Sequence, residues 1–388
     1  MRRTGARRDR GHGTLSRSPA PRSPRIVAPP RLLDSADAIT PAWLEHVLEH
    51  AGLAGAEVSG LGMSRIGAGN VGDTVRIAIA YAQRPPGAPG SVVCKFRCRD
   101  AMAHAHGVAS GSYVREANAY RLLAARANPC ATPRVLLVDG GADNINLVME
   151  DLTQAARAGD QIGGCSPADA HAVVTELARL HRAFYPMPAA QAPDWALRMA
   201  DVAEYWSGAI ERALPLIHQY IGAQLSSADL RTLERAAMAA PAWYTLPVPR
   251  ACFTHGDPRV DNILFREAGG SRAVLIDWQL AGWRNPMHDI GYFLSGSVSV
   301  ADRRAHEHAL LGDYAAMFAG HADYPPDQMR EDYRVHLLSG LMTTMAAYSF
   351  VAITPAVAAL LAALLGRNLA AANDWNSLGA VADVARNW

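Results

Sequence analysis

The strongest chemical signal in the sequence is an H-G-D-x-x-x-x-N pattern over residues 255–262, followed fifteen residues later by Asp277. By composition alone, this pattern would occur about 0.002 times in such a chain. Asn262 and Asp277 lie on two apolar runs that predict a hairpin, where an amide oxygen and a carboxylate could together hold Mg²⁺. Asp257 in the preceding loop would then accept or orient the proton of an attacking hydroxyl. The alternative is that these side chains only cap a loop.

A glycine pattern of the form G-x-G-x-x-G lies further upstream, at Gly67, Gly69 and Gly72. It is weak by itself, because chance gives it about 0.2 times per chain. The alternating run over residues 75–81 predicts that a strand follows it. A following strand favours a hairpin folded over nucleotide phosphates, whereas a dinucleotide-binding fold requires a following helix. A glycine-rich bend without a ligand is the open alternative.

Lys95 is the only lysine in a chain that has 36 arginines. It lies in an apolar run over residues 91–97 that predicts a strand, and a charge there must face a cleft or solvent. Lysine suits a phosphate site because its ammonium is a compact point charge. Glu116, early in a predicted helix, could pair with it. An exposed edge lysine and a solvated glutamate are the alternatives.

The elements that would position these residues form two groups, which together predict an α+β fold with two lobes. A helix over residues 40–51 and another over 112–127 accompany the first group of strands. Those strands are predicted at residues 75–81, 91–97, 134–139 and 146–150. Beyond residue 151, helices predominate and enclose one hairpin, predicted over residues 262–266 and 273–278. We therefore expect a small β-rich lobe and a larger, mostly helical lobe.

The charge of the chain is unevenly distributed. Residues 1–31 hold nine arginines and one acid, so the rest of the chain carries a formal charge of about −7. We expect this leading segment to be a disordered tail, with a transit peptide or a start codon assigned too early as alternatives. A mildly acidic body argues against a nucleic-acid partner, because phosphate neutralisation needs a basic face.

The cysteines and the longest apolar stretch bear on location. Five cysteines form neither a C-x-x-C pair nor an even disulfide set, which favours a reducing cytoplasm. Residues 341–365 carry no charge and are long enough to span a membrane. Thr354 and Pro355 divide this stretch as a helix cap and first helical position. We therefore expect two buried helices and no membrane span.

At these motifs the chain resembles the aminoglycoside phosphotransferase and choline kinase-like branch of the protein-kinase-like fold. The segments L-I-D-W-Q at residues 275–279 and D-I-G-Y-F-L at residues 289–294 are most similar to the ecdysteroid kinase-like members. The resemblance covers about residues 60–370 and implies a bilobal fold with the nucleotide between the lobes. It implies three segments: the tail at 1–31, a nucleotide-binding N-lobe at 32–151, and a catalytic and substrate-binding C-lobe at 152–388.

The resemblance also implies roles for individual residues. Asp257 matches the catalytic aspartate, and Asn262 and Asp277 match the metal ligands. Lys95 and Glu116 match the phosphate-binding ion pair. Residues 147–152 match the hinge between the lobes, where backbone groups bind adenine. The implied cofactor-binding set is Gly67, Gly69, Gly72, Lys95, Glu116, Glu150 and Leu152, with ATP and Mg²⁺ as the cofactors.

Departures from the protein kinases narrow the expected substrate. H-G-D replaces H-R-D, D-W-Q replaces D-F-G, and only eleven residues separate Asp277 from Asp289. No room remains for an activation segment, so a protein substrate is not expected. Asp289 is expected to support the catalytic loop, and His181 to be a packed structural histidine.

The sequence thus predicts an ATP- and Mg²⁺-dependent phosphotransferase that acts on a hydroxyl of a small molecule. Aminoglycoside O-phosphotransferase activity is one alternative, although residues 201–244 lack the acidic cluster that a polycation needs. Aromatic residues such as Trp206 and Tyr348 suit a less polar alcohol equally well. A non-catalytic nucleotide-binding scaffold is a second alternative, and the glycines alone would also fit a nicotinamide-dependent oxidoreductase.

Overall fold

The computed structural model describes Met1 and residues 28–66, 72–269, 272–321 and 323–386. Most of the predicted Arg-rich tail therefore lies outside the described residues. The same holds for Gly67 and Gly69 of the glycine pattern.

The N-terminal part is built on a five-stranded antiparallel sheet in the order β1-β2-β3-β5-β4. Its strands are β1 (Glu57–Arg65), β2 (Gly72–Gln83), β3 (Ser91–Arg97), β4 (Val135–Gly140) and β5 (Ile145–Glu150). Three helices accompany the sheet: α1 (Pro41–His50), α2 (Ala101–Ala109) and α3 (Ser112–Ala125). In the register of the sheet, Lys95 on β3 lies between Thr74 on β2 and Leu147 on β5. The candidate phosphate-binding lysine is therefore held at the centre of the sheet.

The C-terminal part is mostly helical. Its helices are α4 (Pro167–Phe184), α5 (Ala203–Ile221), α6 (Ser227–Tyr244), α7 (Met287–Ser297), α8 (Val300–Met317), α9 (Pro326–His336), α10 (Leu338–Phe350), α11 (Pro355–Asp374) and α12 (Ser377–Arg386). Its short strands are β6 (Ala156–Ala158), β7 (Cys252–Thr254), β8 (Ile263–Arg266), β9 (Ala273–Leu275) and β10 (Gly282–Arg284). They form a sheet of order β6-β8-β9 and a β10-β7 pair. The predicted α+β arrangement, β-rich first and helical second, is confirmed.

Helix starts follow capping chemistry that is visible in the sequence. Thr40 caps α1, because its side chain accepts from the backbone N–H of Trp43 at 3.2 Å and Pro41 occupies the first turn. Ser226 and Asp229 form a reciprocal capping box at the start of α6. These caps set where the helices begin and therefore which faces they bury.

The apolar stretch at residues 341–365 forms two helices, and Thr354 caps the second at Val357. Most residues of α10 are buried, as expected. In α11, by contrast, only a third of the apolar stretch is buried. The prediction of two buried helices was thus wrong for α11, because none of residues 355–360 in its first turns is buried. Among the described residues, α11 alone is long and apolar enough to cross a membrane, a property that core helices can share.

The predicted hairpin is shorter than expected. Asn262 lies in a 3₁₀ turn before β8, and β9 ends at Leu275 rather than at Trp278. Both candidate metal ligands therefore lie on loops just outside the strands, where their backbone can turn.

Candidate active site

Lys95 faces a cleft between the sheet and the helical part. Its neighbours Cys94 and Phe96 are fully buried in the N-terminal core, so strand alternation directs Lys95 to the opposite face. Its Nζ lies 2.8 Å from both carboxylate oxygens of Glu116, which α3 presents from a side chain that is only 1% exposed. The structure thus forms the buried ion pair that the family resemblance implied and that the residues alone left open.

Asp277 is the second anion at this lysine, with Oδ1 at 3.2 Å from Nζ. Burial lowers the pKa of Lys95, but Asp277 and Glu116 outweigh it and raise that pKa above its ordinary value. Burial raises the pKa of Asp277. The nearby Lys95 ammonium lowers that pKa by more, so the net pKa lies below the ordinary value. The ammonium and the Asp277 carboxylate are therefore both charged at neutral pH, ready to bind groups of opposite sign.

The backbone at Asp277 is in the left-handed region, with φ of 64°. Aspartate tolerates this conformation better than most residues, although it still stores some strain. Trp278 holds the turn, since its fully buried ring stacks on Phe253 and contacts His255. Packing of the indole thereby places the Asp277 carboxylate at the cleft.

The loop that carries Asp257 is anchored by Asp289 of α7. The Asp289 carboxylate accepts the backbone N–H groups of His255 at 2.7 Å and Gly256 at 2.9 Å, and it lies 3.0 Å from Nε2 of His181. Gly256 has φ of 85°, and a Cβ there would lie 2.0 Å from the Leu280 carbonyl oxygen. Both Asp289 and His181 thus have the supporting roles that their sequence context predicted.

Asp257 has an acceptor oxygen available in the cleft. Its Oδ2 accepts from Nδ2 of Asn262 at 3.1 Å and lies 3.6 Å from Nε of Arg259. Its Oδ1 is buried and has no hydrogen-bond partner among the described residues. Burial raises the pKa of Asp257 above the ordinary 3.8, and Arg259 only partly offsets the shift. A carboxylate in this state can accept the proton of a hydroxyl that enters the cleft.

The oxygens of Asn262 and Asp277 suit a hard divalent cation. The Asn262 amide nitrogen is used on Asp257, where it also donates to the backbone carbonyl at 2.9 Å, which leaves the amide oxygen as a ligand. The described residues contain no group of three or more His, Cys, Asp or Glu that could hold a metal. A cation at this position would therefore complete its shell with oxygens from phosphate and water, as Mg²⁺ commonly does.

Gly72 makes room for Lys95. A Cβ at residue 72 would lie 2.9 Å from Cε of Lys95 and 3.2 Å from the Phe96 carbonyl oxygen. Of the three glycines in the predicted loop, Gly72 is the one within the described residues. Because it has no side chain, the Lys95 side chain can pass beside it without a clash.

The predicted hinge follows β5. Glu150 and Leu152 both line the cleft, and the Leu152 carbonyl accepts from Ala155 and Ala156 at 2.9 Å. Between them, Asp151 accepts from Nε of Arg76 on β2 at 2.6 Å. Burial opposes the ionised form of Asp151, but hydrogen bonds from Ser91, Thr153 and Arg76 lower its pKa to about 2. The contact between Asp151 and Arg76 therefore holds the predicted hinge segment against β2 of the sheet.

All the described members of the predicted site line one cavity of about 1290 Å³. They are Gly72, Lys95, Glu116, Glu150, Leu152, Asp257, Asn262 and Asp277. Ligand cavities are commonly about 300–1,000 Å³, so this one has room for two substrates. It is also lined by Tyr205, Trp206 and Phe350, whose rings pack on one another.

Several contributors were not predicted from the sequence. Arg115, next to Glu116, donates to the Gln279 carbonyl at 2.6 Å and so holds the Asp277 segment against α3. Arg259 lies inside the H-G-D pattern without a predicted role, and Tyr292 of α7 interacts with Asp257. The only available signal was that Arg115 adjoins Glu116 and that Arg259 and Tyr292 lie within the quoted motifs.

A cleft that combines a buried lysine–glutamate pair, two oxygen ligands and a loop carboxylate is typical of a phosphotransferase. Residues 87–327, more than half of the chain, match the family described as phosphotransferase enzyme family, APH. The chain belongs to this family, which confirms the family predicted from the motifs.

Solved structures with a similar fold have low sequence identity. A choline kinase from Cryptosporidium parvum is 10% identical, with a TM-score of 0.49 over 82% of this chain and 91% of that one. An ethanolamine kinase from Plasmodium vivax is 10% identical, with a TM-score of 0.48 over 84% and 86%. The ADP-bound aminoglycoside phosphotransferase APH(2'')-Ib is 15% identical, with a TM-score of 0.45 over 85% and 98%. No curated protein matches the sequence significantly.

Proposed function

We propose that the protein transfers the γ-phosphoryl group of ATP to a hydroxyl of a small molecule, with Mg²⁺ bound at Asn262 and Asp277. The observation that carries this proposal is that Asp257, with its unpartnered buried oxygen, lines the same cleft as the Lys95–Glu116–Asp277 cluster. Phosphoryl transfer needs mainly positioning and electrostatic stabilisation, and this cleft offers both.

The nucleotide would lie along the sheet side of the cleft. Lys95, fixed by Glu116, would bind phosphate oxygens, and backbone groups of Glu150 and Leu152 would bind adenine. Gly72 would leave room for Lys95 beside the phosphates, and the phosphate-binding role of Gly67 and Gly69 stays a prediction. Bound Mg²⁺ would neutralise charge that develops on the phosphate oxygens.

Asp257 would position the acceptor hydroxyl and take its proton. As the acceptor oxygen bonds to the γ-phosphorus, the bond from that phosphorus to the bridging oxygen of ADP breaks and the proton passes to Asp257. Its raised pKa places the carboxylate closer to the range in which a general base is effective.

The finer predictions are part of this proposal. The eleven residues between Asp277 and Asp289 hold only short turns, β10 and the start of α7, which supports a small molecule over a protein as acceptor. A cytoplasmic location and the ecdysteroid kinase-like subtype remain predictions.

ADP release from MgATP in the presence of candidate alcohols tests the proposal. Asp257→Ala should keep MgATP affinity while losing acceptor-stimulated ADP release, because Asp257 contacts the acceptor. Asp277→Asn should weaken MgATP binding itself. Unchanged turnover in Asp257→Ala would contradict the proposal, and ATP binding without transfer to sterol-like, choline-like, sugar or aminoglycoside alcohols would favour a non-catalytic scaffold.

A further inference from the structure

A second cavity, of about 180 Å³, adjoins the catalytic loop among helices α7, α10 and α11. We call it the helix pocket, and Arg259 lines both this pocket and the large cleft. The other residues that determine its chemistry are Tyr292, Thr343, Ala347, Leu364 and Asn368.

The helix pocket is connected to Asp257 through two of its own side chains. Tyr292 and Thr343 both line the pocket, and burial of Tyr292 together with the charge of Asp257 raises the pKa of the Tyr292 hydroxyl. Arg259 lies 3.6 Å from the same carboxylate. A molecule in the pocket would therefore lie one side chain away from the candidate catalytic group.

We propose, on the basis of the function proposed above, that the helix pocket holds the non-reacting end of the acceptor and selects a compact, uncharged and mainly apolar alcohol. A volume of about 180 Å³ is small beside the roughly 300–1,000 Å³ of common ligand cavities, so the pocket suits a compact occupant. The acceptor body would fill the pocket while its reacting hydroxyl extends past Arg259 to Asp257.

Charge argues for an uncharged body. Among the described residues that line the pocket, none carries a carboxylate, and Arg259 is the single permanent charge. An ammonium group would lose its hydration and meet a guanidinium, with no anion to compensate. A carboxylate would compete with Asp257 for Arg259. Most of the remaining wall is aliphatic, as at Ala347 and Leu364.

Asn368 supplies one polar contact inside the pocket. Its side chain is fully buried, and its Nδ2 donates to Thr344 at 3.0 Å, but its Oδ1 has no partner among the described residues. Gly340 allows α10 to approach this oxygen closely, since a Cβ at residue 340 would lie 2.4 Å from Oδ1 and 2.5 Å from the Ser295 hydroxyl oxygen. An unpartnered buried acceptor favours an occupant with a donor, so a second hydroxyl at the far end of the acceptor should improve binding.

The experiment compares four probes that share a six-carbon chain: 1-hexanol, 1,6-hexanediol, 6-amino-1-hexanol and 6-hydroxyhexanoate. Binding to the full-length protein is measured by saturation-transfer NMR at pH 7, with ADP release from MgATP followed in parallel. We expect 1,6-hexanediol to bind best, 1-hexanol next, and the two charged probes at least tenfold more weakly than the diol. Equal or tighter binding of either charged probe, or no binding of any probe, would overturn the proposal.

Two matched variants locate the binding site. Ala347→Trp fills the pocket, whereas Ala359→Trp places the same ring on an exposed turn of α11. We expect the first variant to lose 1,6-hexanediol binding and the second to keep it, with MgATP affinity unchanged in both. Hexanediol binding that survives in Ala347→Trp would refute the pocket assignment. The four-probe comparison in the unmodified protein decides the charge preference even if Ala347→Trp does not fold.

The same measurements separate the two proposals. Lack of MgATP binding in the unmodified protein would contradict the phosphotransferase function. Normal MgATP binding combined with a preference for the amino alcohol would contradict only the selectivity assigned to the helix pocket. Asn368→Leu should also reduce the advantage of 1,6-hexanediol over 1-hexanol, and an unchanged ratio would count against the contact with Oδ1.

Discussion

Replacing Lys95 with Met should separate its structural role from its chemical one. Glu116 is 1% exposed and has both carboxylate oxygens 2.8 Å from the Lys95 ammonium, so the substitution leaves a buried charge without its partner. Glu116, whose pKa burial already raises from an ordinary 4.5, would then be protonated in the folded protein at pH 7. Asp277 is 32% exposed, so water can replace Lys95 there.

The expected magnitude follows from the proton that Glu116 must take up. Protonation at pH 7 of a group with an ordinary pKa of 4.5 costs about 3 kcal/mol, at about 1.4 kcal/mol per pH unit. The same step costs under about 1 kcal/mol at pH 5. Lys95→Met should therefore lower the free energy of unfolding by about 3 kcal/mol at pH 7 and by much less at pH 5.

A double variant completes this test. Lys95→Met combined with Glu116→Gln removes both charges, so its stability should return to within about 1 kcal/mol of the unmodified protein and lose this pH dependence. ADP release should stay low in both variants, because both lack the proposed phosphate-binding cation. Urea unfolding at pH 7 and pH 5 supplies the measurement. Equal destabilisation of the single and double variants, or a loss that does not change with pH, would refute the reasoning.

Three further predictions concern the loop and the sheet. Because the pKa of Asp257 is raised, acceptor turnover should fall as pH decreases through that raised value, and Arg259→Leu should move the inflection to higher pH; an unmoved kcat–pH profile would contradict this. Asp289→Ala should lower the free energy of unfolding by about 3–5 kcal/mol, whereas the exposed Asp383→Ala should change it by less than about 0.5 kcal/mol in the same urea titration. Gly72→Ala should raise KM for MgATP about tenfold by displacing Lys95, whereas Gly62→Ala, whose Cβ would meet only Ala78 at 3.7 Å, should leave it unchanged.

Helices and strands whose conformation is determined by neighbouring residues could be predicted from the sequence. The apolar run at residues 91–97 predicted β3 with its observed bounds, and the Thr354–Pro355 pair predicted the start of α11. The H-G-D pattern and Asp277 were close enough in sequence to indicate one site. In each case, neighbouring residues alone determine the conformation.

Elements that depend on distant contacts could not be predicted. β1 is rich in small residues and has one buried side chain, Val58, so its sequence shows no clear alternation. α2 lacks an apolar face, since Gly107 is its buried residue. The left-handed turn at Asp277 depends on packing of Trp278 against Phe253, and this contact cannot be read from local spacing.

The same limit applies to the acceptor side of the site. The helix pocket is assembled by α7, α10 and α11, which lie far from the H-G-D pattern in sequence. Arg259 and Tyr292 line one pocket only because α7 packs beside the loop that carries Asp257. The sequence could therefore indicate the residues of the proposed transfer site, whereas the residues of the helix pocket could be identified only from the structure.

The position of Lys95 also has a practical consequence for chemical labelling. As the chain has no other lysine, its one ε-amine lies in the cleft, and the N-terminal amine is the other primary amine of the chain. The two neighbouring carboxylates keep this ε-amine protonated and therefore poorly nucleophilic toward acylating reagents. Neutralising Glu116 should lower the pKa of this ε-amine and increase its rate of acylation, so an amine-directed probe can report on the charge state of the cleft.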